Sequence, residues 1–146
     1  TTQPVRMKKQ NLYHTMNKKY ENAPAQSRAF TPEKLIEKLV YSMEEEKLFK
    51  RVDLTIEMLA EHLGTNRTYL SRTVNQCFSM PFRHWLNSYR IEQSIQFMLQ
   101  HPEANQNVIA RESGFMNASA FNHKFKTVTG ESPRLWLLKK SMGVID

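Results

Sequence analysis

One short pattern occurs twice in this chain, and the second occurrence keeps the register of the first over almost thirty residues. Ala60 and Gly64 recur as Ala110 and Gly114, fifty residues on. After one inserted residue, Leu70 and Val74 recur as Phe121 and Phe125, fifty-one residues on. Arg83, Trp85 and Leu86 recur as Arg134, Trp136 and Leu137 at that same offset, so "RHWL" and "RLWL" are one element seen twice. A repeat of this length constrains the fold more than any local propensity does. It requires two copies of one supersecondary unit.

The unit is legible from periodicity and punctuation. In "DLTIEMLAEHLG", Thr55 is placed to cap a helix, Leu59 and Leu63 fall on one face, Ala60 is small, and Gly64 suits a positive-φ exit. "TNRTYLSRTVNQCF" then starts a second short helix, with Asn66 as cap and Leu70, Val74 and Phe78 at i, i+4, i+8. Two short helices around a glycine-containing turn make a helix-turn-helix. "NVIARESG" and "NASAFNHKFKTVTG" repeat it, anchored by Phe115, Phe121 and Phe125. Between the copies, "MPFRHWLNSYRIEQSIQFMLQHP" reads as a longer helix ending before Pro102. Phe82, Trp85, Leu86 and Tyr89, then Ile91, Ile95, Met98 and Leu99, give it apolar surface towards both ends.

Two more helices flank these elements. "TPEKLIEKLVYSMEEEKLF" carries the stripe Leu35, Ile36, Leu39, Val40 and Met43, with Thr31 as cap and Pro32 in the first turn. The acidic run from Glu44 to Glu46 ends it in solvent. "SPRLWLLKK" closes the chain, capped by Ser132 with Pro133 at the first helical position. Only 4 Gly and 6 Pro punctuate 146 residues, so the expected class is all-α. Residues 1–30 read as a basic linker or tail, with Arg6, Lys8, Lys9, Lys18 and Lys19 preceding the first acid, Glu21. The sharper readings of that tail are a non-specific DNA contact or a juxtamembrane segment. The remainder, 31–146, reads as one domain.

The net charge is +7, and residues 1–52 hold most of it, with 11 Lys and Arg against 6 Asp and Glu. Bulk charge therefore does not mark the repeat-bearing part as a nucleic-acid binder, and individual positions must carry that case. The sequence has neither an apolar run long enough to span a membrane nor a signal-peptide pattern. The single Cys77 cannot form an internal disulfide, which fits a reducing compartment, and the expected location is the cytoplasm. Cys77 falls on the core face, as an inert thiol. His62, His84 and His101 lack any spacing that suits a metal and read as surface or structural residues. No cofactor is expected. Arg90 in the long helix reads as a buried residue paired with a carboxylate or a carbonyl.

The stretches "LTIEMLAEHLGTNRTYLSRTV", "YRIEQSIQFML" and "VIARESGFMNASAFNHKFKTVTGESP" resemble the DNA-binding domain of bacterial AraC/XylS-type transcriptional regulators. The "A…GF…S.F…FK…TG.SP" string of the second copy is the specific part, and the resemblance covers about residues 31–140. It implies seven helices in two homeodomain-like lobes. These would be a first helix-turn-helix at about 54–78, a linker helix at about 81–100, and a second helix-turn-helix at about 107–128. The chain departs from the family pattern at Ser79, where Gly is usual, at Ser94, where Ala is usual, and at Leu137, where Arg usually follows the aromatic.

The resemblance also implies roles. A helix-turn-helix lays its second helix in the major groove of double-stranded DNA. Carried over by position, Thr68, Ser71 and Arg72 read bases in the first copy, and Ala118, Ser119, Asn122 and His123 in the second. Arg72 suits guanine, Asn122 suits adenine, and Ala118 can meet only a thymine methyl. Asn66, Arg67, Asn75, Asn117, Lys124 and Lys126 are the phosphate candidates. A linker helix of about 20 residues is roughly 30 Å long, close to one turn of DNA at about 34–36 Å. Two successive major grooves on one face would then be served without a palindrome.

The expected function is sequence-specific DNA binding in transcription regulation, as the output segment of a larger regulator. RNA polymerase, and a second copy joined through a preceding domain, are its further implied partners. The sensing part is expected elsewhere, before a chain that starts at Thr1 without Met. An enzyme fused to such a domain would call for a cysteine cluster or a glycine-rich phosphate loop, and neither occurs, so the expectation is no catalysis. The alternative is a helical protein-interaction module. Salt dependence separates it from a DNA binder.

Overall fold

The computed structural model describes residues 32–143. Among them are seven α-helices and no strand: α1 Pro32–Glu44, α2 Ile56–His62, α3 Arg67–Phe78, α4 Phe82–Gln100, α5 Gln106–Glu112, α6 Ala118–Thr129 and α7 Pro133–Ser141. A 3₁₀ turn, Leu48–Lys50, lies between α1 and α2. The reading of residues 1–30, and of Thr31 as a cap, falls outside the described residues.

The helix starts are set by side chains that satisfy amides no helical carbonyl can reach. Thr55 accepts from the Met58 N–H, Asn66 from Tyr69, Asn105 from Val108, Asn117 from Ala120 and Ser132 from Leu135. Each cap contributes about 1 kcal/mol.

Both copies leave their first helix by the same turn. Thr65 N–H donates to the Ala60 carbonyl at 2.9 Å and Gly64 N–H to Glu61 at 3.1 Å. In the second copy, Phe115 donates to Ala110 at 2.9 Å and Gly114 to Arg111 at 3.4 Å. This crossed pair is a Schellman closure around a left-handed glycine, with φ of +76° at Gly64 and +90° at Gly114. Thr65 therefore matches Phe115, and the caps Asn66 and Asn117 match each other. The inserted residue is Met116, which is 77% exposed. The turn absorbs the insertion outward, leaving both helix pairs at seven and twelve residues.

The described chain divides into two compact units. One contains 32–48 and 53–85, and the other 49–52 and 86–143, so the division falls within α4. In the first unit, Leu35, Ile36, Leu39, Val40 and Met43 of α1 are buried, as are Leu59, Ala60 and Leu63 of the first helix-turn-helix. Leu70, Val74, Cys77 and Phe78 bury the inner face of α3, and Trp85 stacks on Phe78 at 5.2 Å between ring centroids. Trp85 is a core residue, 1% exposed.

In the second unit, Ile91, Met98, Ile109, Ala110, Phe115, Phe121 and Phe125 form one cluster, with Trp136 and Leu137 packed at its edge. Trp136 is half-buried, meeting Phe125 edge-on at 6.1 Å. Leu99 is 46% exposed, because the apolar face of α4 is narrow at its C-terminal end and Met98 occupies the inward position.

The departures from the family pattern are accommodated locally. Ser94 is fully buried, and its hydroxyl donates to the Ile91 carbonyl at 2.6 Å, so serine replaces alanine without an orphaned hydroxyl. Ser79 adopts the left-handed conformation itself, with φ of 56°, and its N–H donates to the Asn75 carbonyl. Gly130 occupies the equivalent position after α6 with φ of 88°. The exit from α3 is thus the same turn made without glycine.

Candidate nucleic-acid interface

In each copy the second helix is bound to its unit by one face and leaves the other to solvent. On α3 the inner face is Leu70, Thr73, Val74, Cys77 and Phe78. Thr68, Ser71, Arg72 and Asn75 are exposed. None of the described residues forms an ion pair with Arg72. A guanidinium held this way keeps its whole donor fork available to an acceptor from outside the chain.

Arg67 begins α3 and also lies in the open, but it has a partner: its Nη1 is 3.0 Å from Glu57 Oε1 on α2. This exposed pair contributes little stability. It does tie the Arg67 head to the first turn of α2. Asn66 is exposed, yet its Oδ1 accepts from the Tyr69 N–H at 2.9 Å, which leaves its Nδ2 as the group it can offer.

On α6 the inner face is Phe121 and Phe125, both fully buried. Ser119, His123 and Lys126 are exposed, whereas Ala118, Asn122 and Lys124 are half-buried. Asn117 repeats the arrangement of Asn66, with Oδ1 accepting from Ala120 N–H at 2.8 Å. Asn122 differs from every other candidate. Its Nδ2 donates to the Ala118 carbonyl at 2.7 Å and also to Oε1 of Gln106, the first residue of α5.

The structure therefore brings Thr68, Ser71 and Arg72 to one open helix face, and Ser119, His123 and Lys126 to another. It ties Asn122 back to its own helix pair. Glu57 and Gln106 are the residues that sequence reading missed. Both lie in the first turn of the helix preceding a candidate reading helix, a position from which a long polar side chain can reach across. Arg90, read as buried and paired with a carboxylate or a carbonyl, is half-buried and takes carbonyls: Nε donates to Phe49 O at 2.8 Å and Nη2 to Arg51 O at 2.7 Å. Burial pushes the Arg90 pKa down from its ordinary value. Among the described residues no cluster of three or more His, Cys, Asp or Glu could hold a metal, and no helix is long and apolar enough to cross a membrane.

Two helix-turn-helix units on one chain define a class of helical domain, and comparison with known proteins agrees. A profile described as helix-turn-helix domain matches residues 59–139. An uncharacterised helix-turn-helix transcriptional regulator of Staphylococcus aureus, strain MSSA476, is 30% identical over 82 residues, which are 56% of this chain and 11% of that protein. Among solved structures, the C-terminal domain of AraT, a response regulator from Geobacillus stearothermophilus, is 29% identical with a TM-score of 0.65, covering 73% of this chain and 84% of that one. The DNA-binding domain of AdpA, a global transcriptional factor solved in complex with a target DNA, shares the fold at 20% identity with a TM-score of 0.63, over 74% of this chain and 94% of that one. The chain belongs to the helix-turn-helix domain family, and the AraC/XylS-type resemblance drawn from its sequence holds. It spans about a tenth of the length of the curated relatives it matches.

Proposed function

We propose that this chain is the DNA-reading part of a transcription regulator, binding duplex DNA by sequence through α3 and α6. The observation that carries this reading is the repeated asymmetry of those two helices. Each is fixed by buried apolar residues on one side and offers short polar or basic side chains on the other, at its N-terminal end. A helix of that form is what the major groove admits, and base edges are met from its first turns.

On this reading Arg72 is the principal base reader of the first copy, with Thr68 and Ser71 beside it. Ser119, Asn122 and His123 read in the second, where Ala118 can supply contact with a thymine methyl. Lys126, Arg67, Asn75 and the Nδ2 groups of Asn66 and Asn117 hold phosphates, and Lys124 supports them from a half-buried position. Two non-identical copies in one chain imply a site with two different half-elements and no palindrome. RNA polymerase is a further partner of such a regulator, and the cytoplasm its compartment.

Selection of binding sites from random duplexes tests the proposal. The expected result is one enriched asymmetric sequence bound by the 146-residue chain. Its affinity should fall roughly 10³-fold or more between 50 and 200 mM salt if six or more phosphates are neutralised. Enrichment of no sequence, with binding insensitive to salt, would establish instead a helical module that binds protein.

A further inference from the structure

The carboxamide of Asn122 has two hydrogens, and the fold uses both. Nδ2 donates to the Ala118 carbonyl one turn back on α6 and to Oε1 of Gln106 on α5. A backbone carbonyl can only accept, so the Asn122 atom facing Ala118 is nitrogen. The Gln106 atom facing that nitrogen is then oxygen. The Oδ1 of Asn122 remains as its available group, and it is an acceptor. A paired contact with adenine requires an amide that donates to N7 while it accepts from N6. Asn122 as held cannot supply the donor.

The first copy has no such device. The positions matching Gln106 and Asn122 are Ile56 and Ser71, and isoleucine offers no acceptor. The pairing is therefore a property of the second copy and not of the repeated unit.

We propose that Gln106 is a specificity-determining positioning residue: it holds Asn122 as a pure acceptor, so that Asn122 selects a base presenting an amino group in the major groove, cytosine N4 or adenine N6, without contacting purine N7. Guanine and thymine offer acceptors there and are rejected. The inference rests on α6 being a reading helix.

The test uses the 146-residue chain and a duplex selected from a random pool. The position read by Asn122 is the one whose preference Asn122→Ala abolishes. There, wild type should bind cytosine and adenine within about threefold of each other, and guanine or thymine about tenfold or more weaker. Replacing that adenine by 7-deazaadenine, which lacks N7, should leave wild-type binding unchanged. Gln106→Leu frees one Asn122 hydrogen, so adenine should gain over cytosine by about tenfold and 7-deazaadenine should now bind more weakly. Gln106→Glu keeps the acceptor and should keep the wild-type ranking of bases at reduced overall affinity.

Wild-type sensitivity to 7-deazaadenine, or an unchanged ranking in Gln106→Leu, overturns the proposal. The pairing is also read without DNA. In nuclear magnetic resonance spectra of the free chain, Gln106→Leu should move the side-chain amide signals of Asn122 and leave those of Asn75 in place. Unmoved Asn122 signals sink the pairing itself. Moved signals in a chain that selects no duplex overturn the role in base choice through failure of the DNA-reading assignment alone.

Discussion

Arg90, on α4, donates through Nε to the carbonyl oxygen of Phe49 at 2.8 Å, across 41 residues of sequence. A second bond, from Nη2 to the Arg51 carbonyl at 2.7 Å, fastens the same short segment. The ring of Phe49 stacks on Tyr89, the neighbour of Arg90, at 6.0 Å. One guanidinium thus fastens residues 49–51 within the unit that also contains α5 and α6. Its partners are neutral carbonyls, so the charge is satisfied by dipoles alone. Arg90→Met keeps the apolar stem and removes both bonds, and should cost about 1–3 kcal/mol in urea denaturation. Arg90→Lys cannot reproduce the fork and should recover only part of the loss.

The two turn glycines do the same conformational task in different surroundings. At Gly64 a Cβ would meet nothing within 4 Å. At Gly114 it would fall on the Phe49 carbonyl and lie 3.0 Å from Arg90 Nε. Gly64→Ala should cost about 1–2 kcal/mol, from the left-handed backbone alone. Gly114→Ala adds overpacking of about 1–3 kcal/mol and displaces an Arg90 acceptor. Thermal melts of the two variants should differ clearly, and equal melting temperatures would mean that the 49–51 segment yields without cost.

Ser79 holds a left-handed backbone with φ of 56°, where its counterpart is Gly130. Ser79→Gly removes the Cβ penalty and should raise stability by about 0.5–1 kcal/mol. Gly130→Ser should lower it by a similar amount or more. Chemical denaturation of both variants gives the sign directly.

Phe121 lies between Phe115 at 5.5 Å and Phe125 at 5.7 Å, centroid to centroid, and is fully buried. Phe121→Ala should cost about 3–5 kcal/mol, from lost burial and the cavity left behind. A melting temperature near that of wild type would place this ring outside the stabilising core.

Arg72 and Lys126 are both exposed, on α3 and α6. On a selected duplex, Arg72→Ala should cost about 1–3 kcal/mol and relax one base position. Lys126→Ala should weaken all sequences alike and reduce the salt dependence by about one phosphate. Uniform losses from Arg72→Ala would move it from base reading to phosphate holding.

Several features were legible before any coordinates, because they depend on spacing along one helix. The apolar sides of α3 and α6 follow from residues four apart, and the caps Thr55, Asn66 and Ser132 from side chains that reach amides three residues on. Gly64 announces its turn because few other residues tolerate that backbone. The exposure of Leu99 was not legible, because periodicity alone does not say how wide the buried stripe is at the end of α4.

The sequence by itself determined the repeat, the all-helical class, the register of each buried face and the family. Each of these is encoded in the order of residues within one element or between two copies of it. Only the tertiary structure decided which polar atoms meet: Arg90 with Phe49, Arg67 with Glu57, and Asn122 with Gln106. Those partners lie on separate elements, so their meeting depends on how helices pack, and hydrophobic period says nothing about that. The candidate reading surface was therefore predictable as a face. The hydrogens and lone pairs it presents were set by neighbours that the pattern did not reveal.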